Sequence, residues 1–172
     1  MNPLRKLYCK LCRELAQSER SAVVHTRREA ARLGGDTPPA RALRTLGGHA
    51  IAMRPRFHEL VERPQPVGTM VGRRFGEVFS TLRHYLFDRL IDVERSYRGT
   101  LLGFHHGLSC ARLLRDVADR LDEQEMVAFL DDWLRERIPL VELAERQLRY
   151  FAEAPRKAIR SGLRLAFEPA PE

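Results

Sequence analysis

FGEVFSTLRHYLFDRLIDVERSYRGTLLGFHHGLSCARLLRDVADRL, residues 75–121, carries the reading that decides the fold. Apolar side chains stand at Phe75, Phe79, Leu82, Leu86, Leu90, Val93, Tyr97, Leu101, Phe104, Leu108, Ala111, Leu114, Ala118 and Leu121, each three or four residues after the last. That spacing places them along one face of a helix. Read as one uninterrupted element it would be about 70 Å long, roughly twice the depth of a small domain, so it bends, breaks or reaches a partner.

The far side of this stripe holds Gly99, Gly103, Gly107 and Cys110. Glycine inside a helix costs about 1 kcal/mol relative to alanine. Three at four-residue spacing predict close approach of a second backbone, and so a central helix with neighbours on both faces that dimerises along the seam. Arg95, Arg98, His105, His106 and Arg112 in the same stretch exclude a bilayer as the environment. The alternative is a kink or break between Gly99 and Gly107, which turns four long helices into five.

Working outward, Asn2-Pro3 reads as an N-cap followed by proline at the first helical position, and the apolar period then runs to Gly34-Gly35. Helix 1 is expected over about 3–33, with Ser18, His25 and Glu29 falling on or beside its inward face. Thr37-Pro38 repeats the start signal, and helix 2 runs to about Glu62 with a bend at Pro55. Arg63-Pro64-Gln65-Pro66-Val67-Gly68 is the clearest linker. Asp122, with Glu125 three residues on, reads as a capping box for a last helix that continues to Phe151 and kinks at Pro139. Residues 1–154 read as one helical domain and 155–172 as a basic tail ending in proline and glutamate. Ile159, Leu163 and Ala166 supply a short amphipathic turn there.

The chain has 172 residues, enough for one core without staples. Residues 1–100 carry 19 Lys and Arg against 10 Asp and Glu, whereas residues 101–150 carry 7 against 10. The basicity therefore lies in the first half, and nearly all of it is arginine. Cys9, Cys12 and Cys110 are an odd set without a signal-peptide pattern ahead of them, which points to a reducing cytoplasm. No apolar run approaches the length of a membrane span, so no membrane partner is expected.

The order of helices 1 and 2, a Pro/Gly linker, Glu94-Arg95-Ser96-Tyr97 leading through His106-Gly107, and a final Trp133-Leu134-Arg135-Glu136-Arg137 helix resembles the uncharacterised ferritin-like four-helix-bundle families of bacterial stress proteins. The resemblance implies an all-α, antiparallel ferritin-like bundle and brings no function with it. A di-iron site in such a bundle needs glutamates from two helices and Glu-x-x-His from the other two. No glutamate here has a histidine three residues later. A non-standard metal set would draw on Glu19, His25, Glu29, Glu94 and His106, with iron or another divalent cation as the cofactor; the leading expectation is no cofactor.

Cys9-x-x-Cys12 lacks the second ligand pair of a structural zinc and the βαβ context of a redox motif, so it reads as small packed residues. His105 and His106 point to different sides of a helix, one toward the glycine seam and one toward solvent. Neither a nucleophile elbow nor a phosphate-cradling loop is present. Arg27, Arg28, Arg41, Arg44, Arg73 and Arg74 form a candidate anion-binding flank for nucleic acid, against the plainer reading of a solvated arginine face. Three functions follow in order: a non-enzymatic interaction or scaffold protein that is a homo-oligomer or binds a protein partner, a metal-binding bundle, and a nucleic-acid-associated protein.

Overall fold

The computed structural model describes residues 2–62 and 92–159. These form α1 (Pro3–Leu33), α2 (Pro38–Glu62), α3 (Val93–Asp119), α4 (Gln124–Arg146) and two short helices, α5 (Arg149–Glu153) and α6 (Pro155–Ala158), with no strand among the described residues. The fold is all-α. None of these helices is long and apolar enough to cross a membrane. The Arg63–Gly68 linker, the stripe from Phe75 to Leu90 and the Leu163–Ala166 turn lie outside the described residues.

Both α1 boundaries follow the sequence signals. Asn2 Oδ1 accepts from the Leu4 amide at 2.9 Å with Pro3 behind it, and Gly34 and Gly35 end the helix with φ of 66° and 57°. Pro55 and Pro139 both sit inside continuous helices.

The central stripe is not one helix. Asp92 has φ −58° and ψ 148°, extended backbone, and the Ser96 amide closes the first turn on its carbonyl at 3.0 Å. A hydrophobic period records which positions face inward and passes through an extended residue unmarked. No break falls at the glycines, because α3 runs unbroken through Gly99, Gly103 and Gly107.

Asp122 belongs to the end of α3 rather than the start of α4. Its φ is +59°, its amide donates to Asp119 O at 3.1 Å, and the Glu123 amide donates to Ala118 O at 3.0 Å. That bond pair is a Schellman closure with aspartate in the left-handed position that glycine usually fills. The last helix also stops short of Phe151: after Arg146 the Gln147, Leu148, Tyr150 and Phe151 amides each bond three residues back, tightening the chain before α5. The Tyr97 hydroxyl donates to Ala144 O at 2.7 Å and ties that end to α3.

α1 packs on α2 and α3, and α4 packs on the same two. Cys110 lies against Leu11, Gly107 against Ser18, and Ser96 against Arg32, so numbering rises along α1 as it falls along α3. α2 and α4 are likewise antiparallel: His49 meets Arg137, Arg56 meets Asp132, and Phe57 stacks on Phe129. Leu15, Leu43, Leu46, Leu114, Leu130 and Trp133 fill the space between.

Candidate functional site

At the centre of the four long helices lies a charged cluster. Arg137 is 1% exposed and stands between Trp133 and Val141 on the inward face of α4. Its Nη2 donates to Glu19 Oε2 at 2.6 Å and its Nε to His49 Nδ1 at 3.0 Å. The guanidinium lies 4.7 Å from the Trp133 ring and 5.7 Å from Phe104, while Trp133 Nε1 donates to Glu19 Oε2 at 3.4 Å. Every long helix contributes a residue. Burial pushes the Glu19 carboxyl above its ordinary range, opposed by Arg137, and burial pulls the Arg137 guanidinium down, opposed by Glu19.

His49 holds one protonation form. Since Arg137 has only protons to give, Nδ1 accepts and the proton sits on Nε2. That atom lies 3.3 Å from Glu136 Oε2 but outside hydrogen-bond alignment. Burial first, and then Arg137, lower the imidazole to about 4.

The proposed metal ligands are not brought together. No group of three or more His, Cys, Asp or Glu side chains among the described residues is arranged to hold a metal ion. Glu19 is on Arg137, His25 Nδ1 on Arg28 Nη2 at 2.8 Å, Glu94 on Arg98 at 2.7 Å, and His106 Nε2 on Glu14 at 3.1 Å. Glu29 is completely buried, with Oε1 at 3.3 Å from both Arg28 and Arg32. Arginines hold four of the five, because a guanidinium reaching in from the same or a facing helix matches a carboxylate fork better than a shared cation would. His105 is exposed and meets Glu145 of α4 at 2.7 Å, while His106 lines the groove beside Gly103.

Between α1 and α3 runs an open groove of about 900 Å³. Gly99 and Gly103 form part of its surface, and a Cβ at either would meet nothing within 4 Å. Among the described residues, no backbone approaches these two positions. At Gly107 a side chain rather than a backbone approaches, with Ser18 Oγ 2.8 Å from a Cβ position. Among the described glycines the closest approach is at Gly47 of α2, where a Cβ would lie 2.5 Å from Thr26 Oγ1. The adjacent glycines Gly47-Gly48 were its only signal in the sequence.

The arginine flank divides. Arg41 Nη1 and Arg44 Nη1 hold Asp36 at 2.9 and 3.2 Å and fasten the α1–α2 turn. Arg28 lines the groove, Arg27 lies on the α1–α2 side, and Arg73 and Arg74 lie outside the described residues. The thiols are packing residues in the described region: Cys12 and Cys110 are buried, which raises them to about 12 and about 11.

Comparison assigns no family. No protein-family model matches the chain, and no curated protein or solved structure matches it.

Proposed function

We propose that this protein is a non-enzymatic interaction or scaffold protein on a ferritin-like antiparallel four-helix bundle whose centre holds an ion pair in place of a metal site. The observation that carries this reading is Arg137, a buried cation of the chain itself, donating to Glu19 at 2.6 Å and to His49 at 3.0 Å. In a di-iron bundle the central carboxylates and imidazoles face a metal. Here Glu19 and His49 face a guanidinium, which supplies the positive charge and uses up the oxygen and nitrogen that a metal would need. The ends of α2 and α3 support the ferritin-like order of helices. By the registers above, Glu62 and Val93 stand at opposite ends of the bundle, as that order requires.

The interaction role draws on the groove and on apolar side chains left exposed on the long helices, Leu102 at 71%, Val24 at 61% and Ile51 at 53%. Elemental analysis of protein purified without chelator or metal affinity resin tests the reading. The expected result is iron, manganese and zinc each far below one per chain, and an unchanged melting temperature after chelator treatment. A near-stoichiometric metal that chelation removes with loss of stability would overturn it.

A further inference from the structure

We propose that the pit between α1, α2 and α4, beside Glu19, is a binding site for a short uncharged alcohol, its hydroxyl on the Glu19 carboxylate and its carbon chain among core side chains. The proposal rests on a Glu19 held by Arg137 and free of metal, and elemental analysis reads that premise separately from ligand binding.

Glu19 is 6% exposed, and Oε2 takes both hydrogen bonds that its carboxylate makes among the described residues, from Arg137 at 2.6 Å and Trp133 at 3.4 Å. Oε1 takes none. A buried acceptor without a donor is costly, so it calls for one from outside the chain. The same carboxylate lines a pit of about 80 Å³. Leu15, Phe57, Phe129 and Trp133, none more than 5% exposed, form the rest of its inner wall. One unspent acceptor in an otherwise apolar recess is the pattern of a small-molecule site, where the walls supply affinity and the polar group sets orientation.

The volume limits the ligand. It is roughly half that of a cavity of about 150 Å³ that takes up benzene, and several times the 10–15 Å³ or so that one water needs. Three or four carbons and one oxygen suit it better than an aromatic ring. The charge selects a neutral molecule. Arg137 already balances Glu19 and the exposed Arg54 stands at the rim, so an ammonium group would enter against two guanidinium charges. An anion would face Glu19 itself. Burial raises the Glu19 carboxyl while Arg137 opposes the rise, and a hydroxyl suits either form, donating to the carboxylate or accepting from the acid. Water also satisfies the acceptor but leaves the apolar wall wet; an alcohol that displaces it gains from burying its carbon chain.

Trp133 lines the pit and is the chain's single tryptophan, so its emission reports occupancy. 1-Butanol is titrated into the full chain, with butylammonium and 1-chlorobutane as probes of the same carbon chain. A saturable change in emission with 1-butanol is expected, and the other two should bind at least about tenfold more weakly. This comparison is made on the parent chain and holds whatever a variant does to folding. Ala16→Leu fills the pit from the partly exposed side of α1 while leaving Glu19, Trp133 and Arg137 in place. It should unfold as cooperatively as the parent and bind 1-butanol about tenfold more weakly. The proposal is overturned by any of three results: no saturable change with 1-butanol, which leaves water as the occupant; butylammonium or 1-chlorobutane bound as tightly as 1-butanol; or unchanged affinity in a folded Ala16→Leu chain.

Discussion

Arg137 concentrates the energetics of the molecule at one side chain. Removing one partner of a buried ion pair leaves an uncompensated charge in a low-dielectric core, at a cost of about 3–5 kcal/mol, whereas an apolar pair of similar volume is often neutral. Arg137→Met should therefore destabilise by about 3 kcal/mol, and Glu19→Met added to it should recover most of the loss. Chemical denaturation of the two singles and the double measures this; additive losses would show that the pair is not coupled. His49 gives the same cluster a pH signature. Its ordinary value is 6.5 and its folded value about 4. The unfolded chain thus takes up a proton first as pH falls. Stability from this residue is complete above about pH 6.5 and is lost as pH drops toward 4, by an amount of order 2 kcal/mol. His49→Phe should flatten the fall of stability between pH 6.5 and 4.5, read from denaturant midpoints at each pH. An unchanged slope would remove His49 as its source.

At the scale of helices, the glycines separate into two kinds that sequence spacing alone confuses. Gly99 and Gly103 meet no described residue within 4 Å of a Cβ, so alanine there should stabilise by about 0.5–1 kcal/mol each through helix propensity. Gly47 faces Thr26 Oγ1 at 2.5 Å, and the Thr26 hydroxyl is itself committed to Ala22 O at 2.7 Å. Gly47→Ala must push α1 and α2 apart or break that bond, and should cost about 1–2 kcal/mol. Thermal unfolding of the three variants checks the opposite signs. Much of the helix layout was legible in the sequence: the Asn2-Pro3 start, the Gly34-Gly35 stop, the Thr37-Pro38 restart and the inward faces of α1 and α3 all came from local signals. The errors have a common cause. Asp92 is extended backbone, and Asp122 and the Gln147–Leu148 turn end their helices without changing the apolar period, so a periodicity reading passes over them. The glycines show a related limit of spacing, which tells that residues share a face but not what lies opposite: Gly99 and Gly103 meet no described residue within 4 Å of a Cβ.

For the whole molecule, the candidate site was legible as a set of polar residues in the wrong places for a core, and not as a partnership. Glu19 and His25 attracted notice because they could bind metal; Arg137 stood in the same inward row as Trp133 and Val141 and drew none, since arginine is usually a surface residue. Only the meeting of α1, α2 and α4 reveals that the arginine is the counterion. This arrangement makes the bundle centre a shared property of all four long helices. Glu19 comes from α1, His49 from α2, Phe104 from α3, and Trp133 and Arg137 from α4, so no helix can leave without exposing a charge. Such coupling argues for one cooperative transition across the four long helices. The chain's single tryptophan, Trp133, is 2% exposed and touches both members of the pair, which makes its fluorescence a direct report on the centre. Equilibrium unfolding followed by Trp133 emission and by far-ultraviolet circular dichroism should give coincident midpoints. In Arg137→Met both should move together to lower denaturant. If emission changed well before the helical signal, the centre would be opening while the helices stay assembled, and the ion pair would not be the element that holds the bundle closed.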